Sequence, residues 1–190
     1  MSRKTALQAF LPLLPFVIFG LWTLLIYQFP PGEIVEYFGT QNGYTAVLVL
    51  SFIGGISIII PIPYHLVLMT FAAGGMNPVL LGIVATIGQA TGDSTSYLLG
   101  YSGGKVVQHA LFSVVERFQR WCMSLTYWKF GTVLVIYGAV SPFSNDWLLI
   151  PMGIARYPYR KIMVPLEIGN LIFNVGAGFL GAYGLASILG

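Results

Sequence analysis

The chain of 190 residues is 56% hydrophobic and 8% charged, with a mean hydropathy of +0.80. Soluble domains carry about a quarter charged residues, so the composition excludes an ordinary soluble globule and points to an integral membrane protein of one domain, 1–190. The net charge of +3 implies no nucleic-acid partner, and the lone Cys122 excludes an internal disulfide and a Cys-based zinc site.

Residues 6–29 form the first apolar run, tolerant of Pro12 and Pro15 near its start. A spanning helix needs about 20 apolar residues. The run is too long for a signal peptide and no A-x-A cleavage signal follows it, so it predicts a retained transmembrane helix within 1–30. "PPGEIVEYFGTQNG" comes next, with Ile34, Val35 and Phe38 set against Glu33 and Glu36. A short interfacial helix and a loop both fit that pattern.

From Tyr44 the chain is apolar enough to cross a membrane, but Gly54, Gly55, Pro61 and Pro63 interrupt it midway. Broken backbone at membrane depth is tolerated only where protein or a water-filled cavity satisfies it. The pattern therefore predicts a re-entrant pair of half-helices turning near "PIP", then a complete span over 77–102 that contains Asp93. Residues 105–129 change character. Val107, Leu111, Val114, Phe118, Trp121 and Leu125 recur at helical spacing, opposite Lys105, His109, Glu116, Arg117, Arg120 and Ser124. That is the signature of an amphipathic interfacial helix, with Trp121, Tyr127 and Trp128 as anchors. Residues 130–155 form a second broken apolar hairpin, kinked at "SPFSND", and 162–189 a last span.

Basic residues orient the chain. Arg3 and Lys4, the group from Lys105 to Lys129, and Arg156, Arg160 and Lys161 can all be cytoplasmic under one arrangement. The N-terminus is then cytoplasmic, three helices span, and the two hairpins enter from opposite faces. The expected fold is an all-α, multi-pass protein of the cytoplasmic membrane.

Two inverted halves follow from that arrangement, 43–104 and 130–190. Shifting the chain by 81 residues places Pro61 on Pro142, Leu68 on Leu149, Gly88 on Gly169, Gly100 on Gly181 and Gly103 on Gly184. Gln89 falls on Asn170, Asp93 on Asn174 and His65 on Asp146. Inverted repeats with broken helices are a transporter signature, with sites near the midplane between the repeats.

Charged groups inside a bilayer cost a few kcal/mol or more at its centre, so they face protein or water and are functional candidates. For Asp93 the candidates are a helix-packing acid bonded to the hydroxyls of Ser94, Thr95 and Ser96, or a proton-titrating or headgroup-organising acid. Asp146 stands where a half-helix begins after "SPFSN", and Ser144 or Asn145 can supply its cap. His65, its counterpart under the shift, is expected to meet it at the midplane as a titratable pair. Arg156 and Arg160, in "ARYPYRK", suit either an anchor on anionic lipid or a phosphate cradle, Arg156 first.

"PIPYH" and "GQATGDSTSYLLGYSGG" resemble the first pattern of the DedA family, also called the VTT or SNARE-associated Golgi protein family. That pattern runs roughly P-x-P-[GS]-E, then G-x-x-x-G-D-x-x-x-Y-x-x-G-x-x-x-G, and Gly88, Gly92, Asp93, Tyr97, Gly100 and Gly104 stand at the matching places. "AVSPFSNDWLLIPMGIARYPYRKI" resembles, more loosely, the family's R-x-x-P-x-x-R and A-G-x-x-R/M-x-x-Y/F block. The resemblance covers about residues 40–185. It implies two facing re-entrant loops and lipid translocation: of undecaprenyl phosphate in bacterial relatives, of phospholipid in eukaryotic ones. His65 replaces the acid of the first loop, and Ala139 and Asn145 stand at or near the arginines of the second.

The expected partner is thus a phosphate-bearing membrane lipid, with no cofactor or metal. Proton coupling and self-association stay open. A proton-coupled carrier of ions or small molecules is the second transport reading, and a non-transporting assembly protein the third. A lipid phosphatase or phosphotransferase would need a nucleophile–base set or a metal-binding acid cluster, and six scattered acids supply neither.

Overall fold

The computed structural model describes residues 14–56, 63–124, 126–141, 144–185 and 187, with the side chains of 14–16, 104–119, 121–124 and 127 left out. Among the described residues every element is helical. They are α1 (Leu14–Gln28), α2 (Pro31–Phe38), α3 (Thr40–Ile56), α4 (Tyr64–Ala73), α5 (Pro78–Ser124), α6 (Tyr127–Val140), α7 (Asp146–Ile154) and α8 (Tyr159–Phe179), which continues as a π-helical turn, Leu180–Leu185.

Prolines open α2 and α5, whereas Pro151 and Pro165 lie inside α7 and α8. Pro31 opens α2, where its missing N–H costs nothing, so "PPGEIVEYF" is a short helix. The interfacial helix expected over 105–129 is not a separate element. α5 runs without a break for 47 residues, about 70 Å at 1.5 Å per residue. Gly103 and Gly104 suggested a boundary, but interior glycines cost a helix only about 1 kcal/mol each, and no proline follows to remove a hydrogen bond. The side chains that carry the amphipathic pattern, apart from Arg120, lie outside the described residues, as do Pro61 and Pro142.

The 81-residue offset reappears in the backbone. α5 begins at Pro78 and α8 at Tyr159; α4 ends at Ala73 and α7 at Ile154. Both short helices close with the same turn. Gly75 N–H donates to Ala72 O and Met76 N–H to Phe71 O at 3.1 Å each; Arg156 N–H donates to Gly153 O at 2.9 Å and Tyr157 N–H to Met152 O at 3.0 Å. This is a C-terminal capping motif built around one left-handed residue. That residue is Gly75 (φ 93°) in one copy and Arg156 (φ 53°) in the other.

Packing repeats as well. α3 lies along α5 and α6 along α8, whereas α7 packs on α5 and α4 on the π-helical turn beyond α8. Leu68 and Leu149 are both fully buried, as are Leu81 and Ile162, and Ala85 and Leu166. Each pair is one position in two cores, one around Leu68, Leu81 and Ala85, the other around Leu149, Ile162 and Leu166. The first arm of each half keeps a different offset. Gly88 abuts Leu48, Ser51 and Phe52; Gly169 abuts Val135, Gly138 and Ala139. Those partners are 87 apart, so the first half carries six more residues between its two arms.

Contacts across the halves are reciprocal. A Cβ on Gly100 would overlap the backbone of Ile150, and one on Gly181 would overlap that of Met69. Shifting either contact by 81 gives the other, as an isologous interface requires. Small residues let helix backbones approach this closely, the usual basis of packing when no hydrophobic force drives association. Outward-facing positions repeat too: Ile83 and Val164, and Ile87 and Ile168, are exposed. One helix among the described residues, Tyr159–Leu185, is long and apolar enough to cross a membrane, with 27 residues and a mean hydropathy of 1.4.

Candidate functional site: two polar quartets

Thr86, Gln89 and Asp93 follow i, i+3, i+7 spacing on α5, and Glu167, Asn170 and Asn174 follow it on α8. Such residues share one helix face. The two faces contribute to two hydrogen-bonded clusters, each completed at the start of a short helix.

Tyr64, the first residue of α4, completes one cluster. Its hydroxyl lies 2.7 Å from Gln89 Oε1 and 3.1 Å from Asn174 Oδ1. Asn174 Nδ2 donates to Gln89 Oε1 and to Thr86 Oγ1, each at 3.1 Å. Tyr64 and Asn174 are buried.

Asn145, which precedes α7, completes the second. Its Nδ2 donates to Asp93 Oδ2 at 2.6 Å and, weakly, to Asn170 Oδ1 at 3.4 Å. Asn170 Nδ2 bridges two acids, donating to Asp93 Oδ2 at 3.3 Å and Glu167 Oε2 at 3.1 Å. Asp93, Asn145 and Asn170 are all buried.

The clusters correspond residue by residue. Adding 81 to Tyr64, Thr86 and Gln89 gives Asn145, Glu167 and Asn170, and subtracting it from Asn174 gives Asp93. Every hydrogen-bonded pair among Tyr64, Gln89 and Asn174 has its image among Asn145, Asn170 and Asp93. Their chemistry differs. The first quartet is neutral, and the second carries two carboxylates. Among the described residues two amides donate to Asp93, Glu167 lies within hydrogen-bonding reach of it, and no lysine or arginine pairs with it.

Asp93 is therefore not held by its hydroxyl neighbours. Ser94 and Thr95 donate back to their own helix, to Ala90 O at 2.6 Å and Thr91 O at 3.1 Å, and Ser96 reaches Gly55 O at 3.4 Å. This back-bonding to the i−4 carbonyl is the ordinary alternative for a hydroxyl inside a helix.

His65 and Asp146 do not meet. His65 packs tilted against Tyr64, ring centroids 3.9 Å apart, with Phe173 edge-on at 4.9 Å. Asp146 sits in the first turn of α7, where Ser144 Oγ donates to its Oδ2 at 2.8 Å and its own N–H reaches Ser144 Oγ at 3.3 Å. The residues that occupy equivalent inward places are one earlier in each half, Tyr64 and Asn145. His65 and Asp146 stay beside the quartets, His65 within side-chain hydrogen-bonding reach of Asn174 and Asp146 buried near Asp93, without touching each other. Asn145 makes no side-chain cap, because its amide is engaged with Asp93.

Arg156 and Arg160 stand apart from both quartets, exposed around the turn after α7. The Arg156 guanidinium lies over the Tyr101 ring, 5.0 Å from its centroid. Glu167, Tyr64, Thr86, Gln89, Asn170 and Asn174 were not singled out as site residues from sequence alone. The signal that could have found them is their i, i+3, i+7 spacing combined with the offset. Glu167 Oε1 and Asp146 Oδ1 are buried without a hydrogen-bond partner.

No family model, curated protein or solved structure matches this chain.

Proposed function

We propose that the chain is a membrane transporter that passes the headgroup of a phosphate-bearing lipid between leaflets. The single observation that carries this reading is the pair of polar quartets, five of whose eight members are buried, at corresponding positions of two halves in reciprocal contact. Hydrogen-bonding side chains are expensive in lipid and gather around substrate or ion pathways, and repeat interfaces are where transporters place them.

In this reading α5 and α8 span, with α1 as the third spanning helix, and the α3–α4 and α6–α7 segments enter from opposite faces. The lengths agree with it. α4 has 10 residues and α7 has 9, about 15 Å each at helical rise, half of a hydrocarbon core of about 30 Å. Polyprenyl phosphate and phospholipid are the substrates that the DedA-like segments suggest, and Arg156 and Arg160 would face the cytoplasmic leaflet. The polar groups would line the headgroup path while the tails remain against the apolar faces of Ile87 and Ile168. A proton-coupled carrier is the second reading, favoured by one observation: the two acids of the second quartet share the Asn170 amide.

Reconstitution in liposomes with headgroup-labelled lipid tests the proposal. Transfer of label between leaflets without hydrolysis is expected. Hydrolysed label would mean an enzyme, and neither transfer nor hydrolysis would favour an assembly role.

A further inference from the structure

Because the scaffold is duplicated, places where the copies diverge mark what one half does alone. One divergence is concentrated on the surface beside the turn after α7. Ser94, Tyr97, Leu98, Tyr101 and Tyr159 line an open cleft of about 340 Å³ there. The Tyr159 hydroxyl lies 2.6 Å from Ser94 Oγ, and the Tyr97 hydroxyl donates to Tyr157 O at 2.6 Å. Tyr97 packs edge-on to Tyr159, centroids 5.2 Å apart, and stacks with Tyr101 at 6.2 Å.

At the corresponding places in the other half the residues are small or apolar. Ser94 is matched by Val175, Tyr97 by Gly178, Tyr101 by Ala182 and Tyr159 by Pro78. The packing is conserved: Gly178 sits against Pro78 as Tyr97 sits against Tyr159. Three tyrosines are thus not needed to hold this junction together.

Arg156 is the sharpest difference. Its image is Gly75, the residue suited to the left-handed turn that both share. A non-glycine residue there accepts backbone strain, and in return it places a guanidinium at the rim of the cleft, over Tyr101. Arg160 is exposed on the next helix, so the rim is basic while no acid lines the cleft.

We propose that this cleft is a docking site for the anionic phosphate of a membrane lipid. Arg156 grips the phosphate, and the first acyl segment lies on Leu98 and the tyrosine rings, which the Ser94–Tyr159 hydrogen bond holds in place. The guanidinium offers the paired N–H groups that suit phosphate oxygens, and the tyrosine face orients them by cation–π contact. Phosphate from a lipid and free phosphate share this chemistry; the apolar floor at Leu98 argues for the lipid. The inference rests on the chain lying in a membrane, as proposed above, but not on transport.

The test titrates the purified full-length protein with dihexanoyl phosphatidic acid, dihexanoyl phosphatidylcholine and inorganic phosphate, read by native mass spectrometry. Phosphatidic acid should bind about tenfold or more tighter than the other two, the scale of a charge-assisted bidentate contact plus an apolar floor. Arg156→Gly should remove that preference while Tm stays level or rises, because glycine relieves the turn. Tyr101→Leu, which leaves the turn alone, should weaken phosphatidic acid several-fold. Unchanged binding in either variant overturns the proposal, and so does inorganic phosphate binding as tightly as the lipid. Liposome transfer is a separate readout: wild-type protein that binds lipid in this manner but moves none overturns the transport reading alone.

Discussion

Asn145 and Asp93, 52 positions apart in the chain, are joined by a 2.6 Å hydrogen bond from amide to carboxylate. The same place in the other half is filled by Tyr64 and Asn174, hydroxyl to amide oxygen at 3.1 Å. One half puts an acid where the other puts a neutral amide, in corresponding helical settings. An acid at that point is therefore not something the fold itself requires.

Asp93→Asn is expected to leave folding intact, since Asn174 shows an amide satisfied in the equivalent place. Tm should be equal or higher, because the amide fills a place that its counterpart already fills. Lipid transfer in liposomes should fall at least about tenfold if the acid serves translocation, about 1.4 kcal/mol of barrier. Wild-type transfer in Asp93→Asn would remove Asp93 from the mechanism.

Losing the donor should be worse than replacing the acid. Asn145→Leu leaves the buried Asp93 side chain without its shortest hydrogen bond, at a cost of about 1–3 kcal/mol for an unsatisfied buried group. Tyr64→Phe in the neutral quartet removes a neutral bond and should cost about 0.5–1.5 kcal/mol. Thermal or denaturant unfolding in the same detergent ranks the two, and the double substitution Asn145→Leu with Asp93→Leu should recover stability relative to Asn145→Leu alone.

Gly100→Ala and Gly181→Ala should destabilise by similar amounts, about 1–3 kcal/mol for overpacking, since each would drive a Cβ into a backbone across the interface. Gly103→Ala is the control, because nothing lies within 4 Å of that position. A Gly100 variant as stable as the Gly103 variant would mean that the contact between the halves is loose.

Opposite insertion can be read from two single cysteines in a Cys122→Ser background. Asn77 and Pro158 occupy the matching positions just before α5 and α8, and both are exposed. With inverted halves, a membrane-impermeant thiol reagent should label Asn77→Cys from outside intact cells and reach Pro158→Cys only after permeabilisation. Labelling of both from one side would exclude the inverted arrangement.

Helix content, the interrupted apolar runs and the 81-residue correspondence were legible in the sequence, because prolines, glycines and apolar periodicity act locally. Asp93 stood out as a charge in an apolar segment, and Asn145 through its place in "SPFSND". The long α5 was not legible: Gly103, Gly104 and a change of polarity resemble a boundary, and only the absence of a competing backbone conformation keeps the helix going. Glu167 was missed because one acid after "RKIMVPL" reads as part of a polar helix end. Its meaning depends on the i+3 amide of Asn170 and on Asp93 from a distant segment. Pairing His65 with Asp146 failed because each has nearer partners, His65 in Tyr64 and Phe173 and Asp146 in Ser144. An offset in sequence equates positions without telling which of them touch.

The exchange of contacts between Gly100 with Ile150 and Gly181 with Met69 has a consequence for the symmetry of the molecule. A mutually reversed contact of this kind is the geometry of a two-fold-related pair carried within one chain. A strictly symmetric pair has two equivalent faces, whereas here one half keeps neutral hydrogen bonding and the other carries Asp93, Glu167 and the arginine turn. The molecule thus has two distinguishable sides on one repeated frame.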